Sequence, residues 1–254
     1  MPDHATWLTL ILEHIQSTLE HNASIIGKSA MGHDPSWHSF EPIIASGLVA
    51  VLLLLMGLFV RAKVSSPEQA VVPEERLTLR TFMEAFLGYF YELSKSIMDE
   101  ERAKRYFPVI GAAACFVFFS NVMALIPGWP VATSNLNITM GAALVVFIVF
   151  NVYGLKVQGW DYIKHLAGPS PALMLLIFPI EVISLCVRPI TLAVRLMLNM
   201  AVDHLILVVF LSLFPLLLPL PVMLLGCLII LIQTLVFALL TAAYIGLATE
   251  KEAH

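Results

Sequence analysis

From Pro171 to Ala248 the chain runs for about eighty residues that are almost all apolar. A bilayer core about 30 Å thick is crossed by about 20 such residues, so this run is too long for one span. Pro215, Pro219 and Pro221 are the strong breakers in its second half and predict two helices, 172–214 and 222–248. At about 1.5 Å per residue these are about 64 and 40 Å long, so both are expected to be tilted or bent, with Pro179 and Pro189 available for a bend. The first helix carries a polar stripe. Glu181, Ser184, Arg188, Thr191, Arg195, Asn199 and Asp203 recur every three or four residues, separated by apolar residues and Pro.

The rest of the composition agrees with a membrane environment. Hydrophobic residues make up 59% and charged residues only 13%, against roughly a quarter charged in soluble domains. The mean hydropathy is +0.88. The fold class is an all-α polytopic membrane protein, read as one membrane domain over 1–254. Cys115, Cys186 and Cys227 lie in apolar segments without a CxxC pair and read as reduced packing residues. The first residues lack a basic n-region, which argues against a cleaved signal peptide. In 1–42, Trp7, Leu8, Ile11, Leu12, Ile15 and Leu19 keep a helical period. The five His of this segment show no ligand spacing and read as solvated, and Asn22-Ala23-Ser24 is a sequon of the kind that occurs by chance.

The first span is 43–60. The loop after it holds eight basic residues, including Arg61, Lys63, Arg102, Lys104 and Arg105, against one before the span. That bias puts the loop in the cytoplasm and the N-terminal segment (1–42) outside. Within the loop, 79–98 alternates Phe82, Phe86, Tyr89, Phe90, Leu93 and Ile97 with polar residues and reads as an interfacial helix on the cytoplasmic leaflet. Spans 107–126 and 136–155 follow, joined by the uncharged stretch 127–135 on the outer face, and a cytoplasmic loop with Lys156, Asp161, Lys164 and His165 comes next. Asn121, Asn137 and Asn151 interrupt apolar surface, and interhelical hydrogen bonds are the expected use, with a role on an ion path as the alternative. Five spans result, N-out and C-in, while three shorter spans after 171 would put Arg188 or Arg195 at awkward depths.

A charge at bilayer depth costs at least about 2.5–3.5 kcal/mol, so the stripe must face a partner or water. Arg195 keeps its charge where Lys would lose it, and so can hold a fixed positive potential but cannot relay protons. The alternative is a structural Arg paired with Glu181 or another buried acid. Arg188 can snorkel towards the cytoplasm. Glu181 is either a proton relay or the counter-ion of Arg188. No P-loop, GxSxG or HExxH occurs, so nucleotide chemistry, a cofactor, a metal centre or a nucleic-acid partner is not expected.

Pro189-Ile-Thr-Leu-Ala-Val-Arg195-Leu-Met-Leu-Asn199-Met resembles the signature of subunit a of rotary F-type ATP synthases, and Ile232-Gln233-Thr234-Leu235-Val236-Phe237, with Thr241 and Tyr244, is similar to that family's last helix. The likeness is strongest over 121–250 and weak before 70. It implies the stator of a proton channel in a bacterial plasma membrane. Two half-channels would serve a rotating ring of small carboxyl-bearing subunits, with Arg195 between them. It also implies a peripheral-stalk subunit and, indirectly, a soluble ATPase head as partners. Asp203, His204, Asn199, Gln233, Glu181 and Tyr244 would line the proton path.

The chain departs from the family where many members have Gly-Glu and this one has Asp203-His204, and where Gly226 stands in place of an ionisable residue. On a helix Asp203 lies about 80° and His204 about 180° from Arg195, so His204 can face the last helix while Arg195 faces the ring. Gly226, Gln233 and Tyr244 share a face of that helix, and H⁺ is the default coupling ion. A secondary ion-coupled transporter is the rival reading, but two related halves are not visible. An intramembrane enzyme would need a nucleophile–base or metal constellation that does not stand out.

Overall fold

The computed structural model describes residues 37–63, 78–126, 128–159, 171–213 and 219–249. The N-terminal amphipathic segment with His4, His14, His21, His33 and the sequon, the loop carrying Asp161, Lys164 and His165, and Pro215 lie outside them. The described residues form α1 (Trp37–Lys63), α2 (Leu79–Ile97), α3 (Glu100–Ala124), a 3-10 turn (Ala132–Ser134), α4 (Leu136–Gln158), α5 (Pro171–Leu213) and α6 (Pro219–Ala248). They contain no strand. All but α2 are long and apolar enough to cross a bilayer, so the chain is an all-α polytopic membrane protein.

Several helices extend beyond the apolar stretches that announce them. α1 begins at Trp37, not at 43, and α3 at Glu100, not at 107. Hydropathy marks what can lie in hydrocarbon, whereas backbone hydrogen bonding continues until something ends it. Glu100 and Glu101 in the first turn of α3 favour that early start, because anions complement a helix N-terminus. α6 opens on Pro219 and carries Pro221 in its first turn instead of starting at 222. A first-turn residue has no intrahelical acceptor for its N–H, so Pro costs little there. α4 has defined ends. Asn135 Oδ1 accepts from Asn137 N–H at 2.9 Å, and Gly159, at φ +60°, donates its N–H to the Leu155 carbonyl at 2.9 Å.

α2 and α3 form an antiparallel hairpin joined only by Met98 and Asp99. The amphipathic helix uses much of its apolar face against protein. Phe86 lies on Phe118 with ring centroids 4.9 Å apart, and Tyr91 meets Phe107 at 5.2 Å. Gly111 permits the approach, since a Cβ there would stand 3.3 Å from Leu87 Cδ2 and from Phe107 Cζ. The hairpin bend rests on the end of α6, where Arg102 Nη1 donates to the Gly246 carbonyl at 3.4 Å and Nη2 pairs with Asp99 Oδ2 at 2.8 Å. In the last turn of α2, Lys95 donates to Glu92 Oε1 at 3.0 Å, which raises the ammonium pKa above its ordinary value.

α6 is the hub of the core. Ile230, Gln233, Thr234, Phe237, Ala238, Thr241, Ala242 and Ile245 are buried at helical spacing. Lipid is as apolar as Leu, so helices in a bilayer are held by close packing rather than by exclusion of water. The buried Ala103, Ala114, Ala143, Ala193, Ala238 and Ala242 allow that closeness. Thr234, Thr241 and Thr249 donate to the carbonyls of Ile230, Phe237 and Ile245 at 2.8, 2.8 and 2.7 Å, so their hydroxyls need no other partner. Asn151 Nδ2 likewise donates to the Phe147 carbonyl of its own helix, at 2.7 Å. Asn121 bonds to the 3-10 turn, and Asn137 is exposed.

Candidate functional site

α5 and α6 run antiparallel and meet in a ladder of polar and small residues. At the α5 end nearer Pro171, Arg188 Nη2 lies 3.9 Å from Glu181 Oε1, and its guanidinium stands 5.3 Å from the Tyr244 ring centre. The next rung is neutral: Asn199 Nδ2 donates to Gln233 Oε1 at 2.7 Å. Gln233 is 2% exposed, and its Nε2 has no hydrogen-bond partner. The last rung is a pocket where Asp203, His204, Met200 and Leu207 of α5 meet Val222, Met223, Gly226 and Ile230 of α6. Asn121 and Ala124 of α3, with Leu125 just after it, close the pocket. Glu181, Arg188, Asn199, Gln233, Tyr244, Asp203, His204 and Gly226 thus follow the contact line between the two helices.

Arg195 does not. It is exposed, and no hydrogen bond or ion pair holds it among the described residues. Ile183, Val187, Ile190, Leu198 and Val202 are exposed along the same helix, and α6 exposes Leu224, Leu228 and Leu231. The pairing of Arg195 with Glu181 does not occur, because Glu181 is engaged by Arg188, two turns nearer. Thr191 and Ser184 are also exposed, and the Thr191 hydroxyl donates to the Val187 and Arg188 carbonyls. The stripe therefore divides into residues that join α6 and residues that stand on the outer face with Arg195.

The Asp203 pocket has a volume of about 20 Å³, enough for roughly one water molecule. Asp203 Oδ2 is buried without a hydrogen-bond partner, and no hydrogen bond or ion pair joins Asp203 to His204. Asn121 is 0% exposed, its Nδ2 is also unpartnered, and its Oδ1 accepts from Thr133 Oγ1 at 2.8 Å. Gly226 matters sterically, since a Cβ there would stand 3.1 Å from Leu125 Cδ2. Asn121 and Thr133 were not among the site residues expected from sequence. A lone Asn in an apolar span carries a signal of polarity but none of location, and Thr133 sits in a loop whose packing only the fold creates. Chemically, the ladder offers an ion pair at one end, an amide bridge in the middle and a carboxyl–imidazole pocket at the other end.

Comparison with known proteins gives consistent results. The family profile described as ATP synthase A chain matches residues 43–246. Over all of its length the chain is 53% identical to ATP synthase subunit a of Sorangium cellulosum (strain So ce56), covering all of that protein. It is 38% identical over 84% of its length to ATP synthase subunit a of Geobacter sulfurreducens, covering 89% of it. The subunit a of Aliarcobacter butzleri is 36% identical over 88% of this chain and 94% of its own.

Proposed function

The chain belongs to the ATP synthase subunit a family, an integral membrane subunit of a multi-subunit ATP synthase, and from this premise we propose that it is the stator of the proton channel, working against a ring of small subunits that each carry a buried carboxyl. The observation that carries the reading is Arg195, a permanent cation exposed in mid-helix among Ile190, Leu198 and Val202. Facing lipid it would cost at least about 2.5–3.5 kcal/mol. Facing a succession of carboxylates, it favours the ionised form of each as it passes. The same charge repels protons, so it separates an inlet from an outlet. A proton crossing 100 mV releases about 2.3 kcal/mol, and a leak past Arg195 would dissipate it.

Asp203 and His204 form the inlet, both being groups able to take and give protons. Glu181, beside Arg188 and Tyr244, marks the outlet, and the Asn199–Gln233 bridge lies between. The N-terminal segment is outside and the C-terminal end of α6 cytoplasmic in a bacterial plasma membrane. Arg61 and Lys63 at the end of α1, Arg102, Lys104 and Arg105 early in α3, and Lys156 at the end of α4 support this orientation. A peripheral-stalk subunit and, indirectly, the soluble ATPase head complete the set of partners. The test is Arg195→Ala in the assembled complex. Proton-driven ATP synthesis is expected to disappear while the subunits still co-purify, and normal synthesis by such membranes would refute the mechanism.

A further inference from the structure

The inlet pocket is lined by a residue of α3 that the reading so far leaves without a task. Asn121 is fully buried, and its amide has two different ends. Oδ1 is occupied by the Thr133 hydroxyl at 2.8 Å, whereas Nδ2 has no partner, and Asn121 lines the same pocket as Asp203, whose Oδ2 is also unpartnered. Turned over, the amide would donate to the Thr133 hydroxyl and set Oδ1, a second acceptor, in a pocket that already holds the unpartnered Asp203 Oδ2; the orientation held by the Thr133 hydroxyl instead leaves a donor to complement that carboxyl. An unpaired buried donor and an unpaired buried acceptor around a cavity for roughly one water are both satisfied by a bridging water.

We propose that Asn121 is an ion-selecting residue of the inlet, and that Thr133 is the positioning residue that holds its amide N–H₂ towards Asp203, so that the pocket passes protons through a bound water and rejects a bare sodium ion. The proposal rests on the inlet reading given above. A hard cation is held by a shell of several oxygen ligands. This pocket presents an N–H₂, one carboxyl and one imidazole, and its α6 wall, Val222, Met223, Gly226 and Ile230, brings no side-chain oxygen. A water molecule needs the opposite: a donor to accept from and a carboxylate to donate to. Thr133 is on the 3-10 turn after α3, so the loop joining α3 and α4 sets the chemistry of a pocket formed by α5 and α6.

The test uses membranes with the assembled complex, stripped of the soluble head, and measures passive proton flux and radiosodium uptake normalised to subunit content. Asn121→Leu and Thr133→Val should each lower proton flux roughly tenfold, the scale of one lost hydrogen bond. Thr133→Ser, which keeps the donor, should recover most of it. The double variant should be no worse than Asn121→Leu alone, because Thr133 acts through the amide; losses that multiply would overturn the positioning role. Asn121→Asp, which replaces the N–H₂ with an oxygen, should make proton flux sensitive to sodium, whereas the parent should respond alike to sodium and potassium. Parent flux that is already blocked by sodium would overturn the selectivity. If Asn121→Leu does not assemble, Thr133→Val against Thr133→Ser decides the same point. Asp203→Asn separates the two levels of the argument. If it leaves flux at the parent rate, the inlet reading itself fails. If it blocks flux while the Asn121 and Thr133 variants do not, only the present inference falls.

Discussion

Arg195 and Arg188 lie seven residues apart on one helix and have opposite surroundings. Arg188 is 27% exposed at its side chain, with Glu181 at 3.9 Å and the Tyr244 ring beneath it. An ion pair that long and that open contributes about 1 kcal/mol or less. Arg188→Ala is therefore expected to leave proton-driven synthesis within about fivefold of the parent, where Arg195→Ala abolishes it. Arg195→Lys should fail as well, since an ammonium is more strongly hydrated and loses its proton on burial more readily. Measuring ATP synthesis in membranes from the three variants checks this, and a loss in Arg188→Ala as deep as in Arg195→Ala would remove the distinction. The amide bridge makes a second prediction. Asn199→Leu and Gln233→Leu should show a coupling of about 0.5–1.5 kcal/mol in a double-mutant cycle on thermal stability of the purified complex. Additive effects would mean that the bridge at 2.7 Å does not form in the assembly.

Among the elements, α2 and α6 depend most on single small residues. Gly111 lets α2 lie against α3, with Leu87 and Phe107 at the position a side chain would fill. Gly111→Leu should overpack that seam by about 1–3 kcal/mol, read as a lower unfolding temperature of the purified complex. An unchanged temperature would show the hairpin to be looser than its ring contacts imply. Gly226 is the corresponding point on α6. An acid placed there in the Asp203→Asn, His204→Ala background is expected to restore part of the flux, and more of it when Leu125→Ala removes the methyl at 3.1 Å. Rescue by neither combination would place the inlet away from this face of α6.

For the whole molecule the decisive quantity is the side of the membrane on which each helix ends. Thr133 and Thr249 are both buried, which makes them poor reporters. Lys63, Lys156 and Ser212 are exposed at or near the ends of α1, α4 and α5. Single cysteines there, in a background without Cys115, Cys186 and Cys227, should label from inside, inside and outside respectively. Labelling of position 212 from the cytoplasmic face would reverse α5 and α6 and with them the inlet and outlet.

Much of this was legible in the residues because the bilayer is an unforgiving solvent. Backbone polar groups must be satisfied within each segment and charges must have a reason to be there, so the apolar runs and the polar stripe of α5 announce helices and a site without reference to any contact. Periodicity also grouped Gly226, Gln233 and Tyr244 on one face, because a helix has a fixed angle per residue. Which polar residues meet was not legible. Arg188 and Arg195 differ by about 20° around an ideal helix, too little for sequence to say which would find Glu181 and which would stand outside. That was decided by where α6 crosses α5. The link from Thr133 to Asn121 and onward to the Asp203 pocket is likewise a product of tertiary structure, since a loop, α3 and the α5–α6 seam come together only after the chain has packed. Sequence determines what each segment can be in a membrane; the distances between segments are set by packing, which depends on all of them at once.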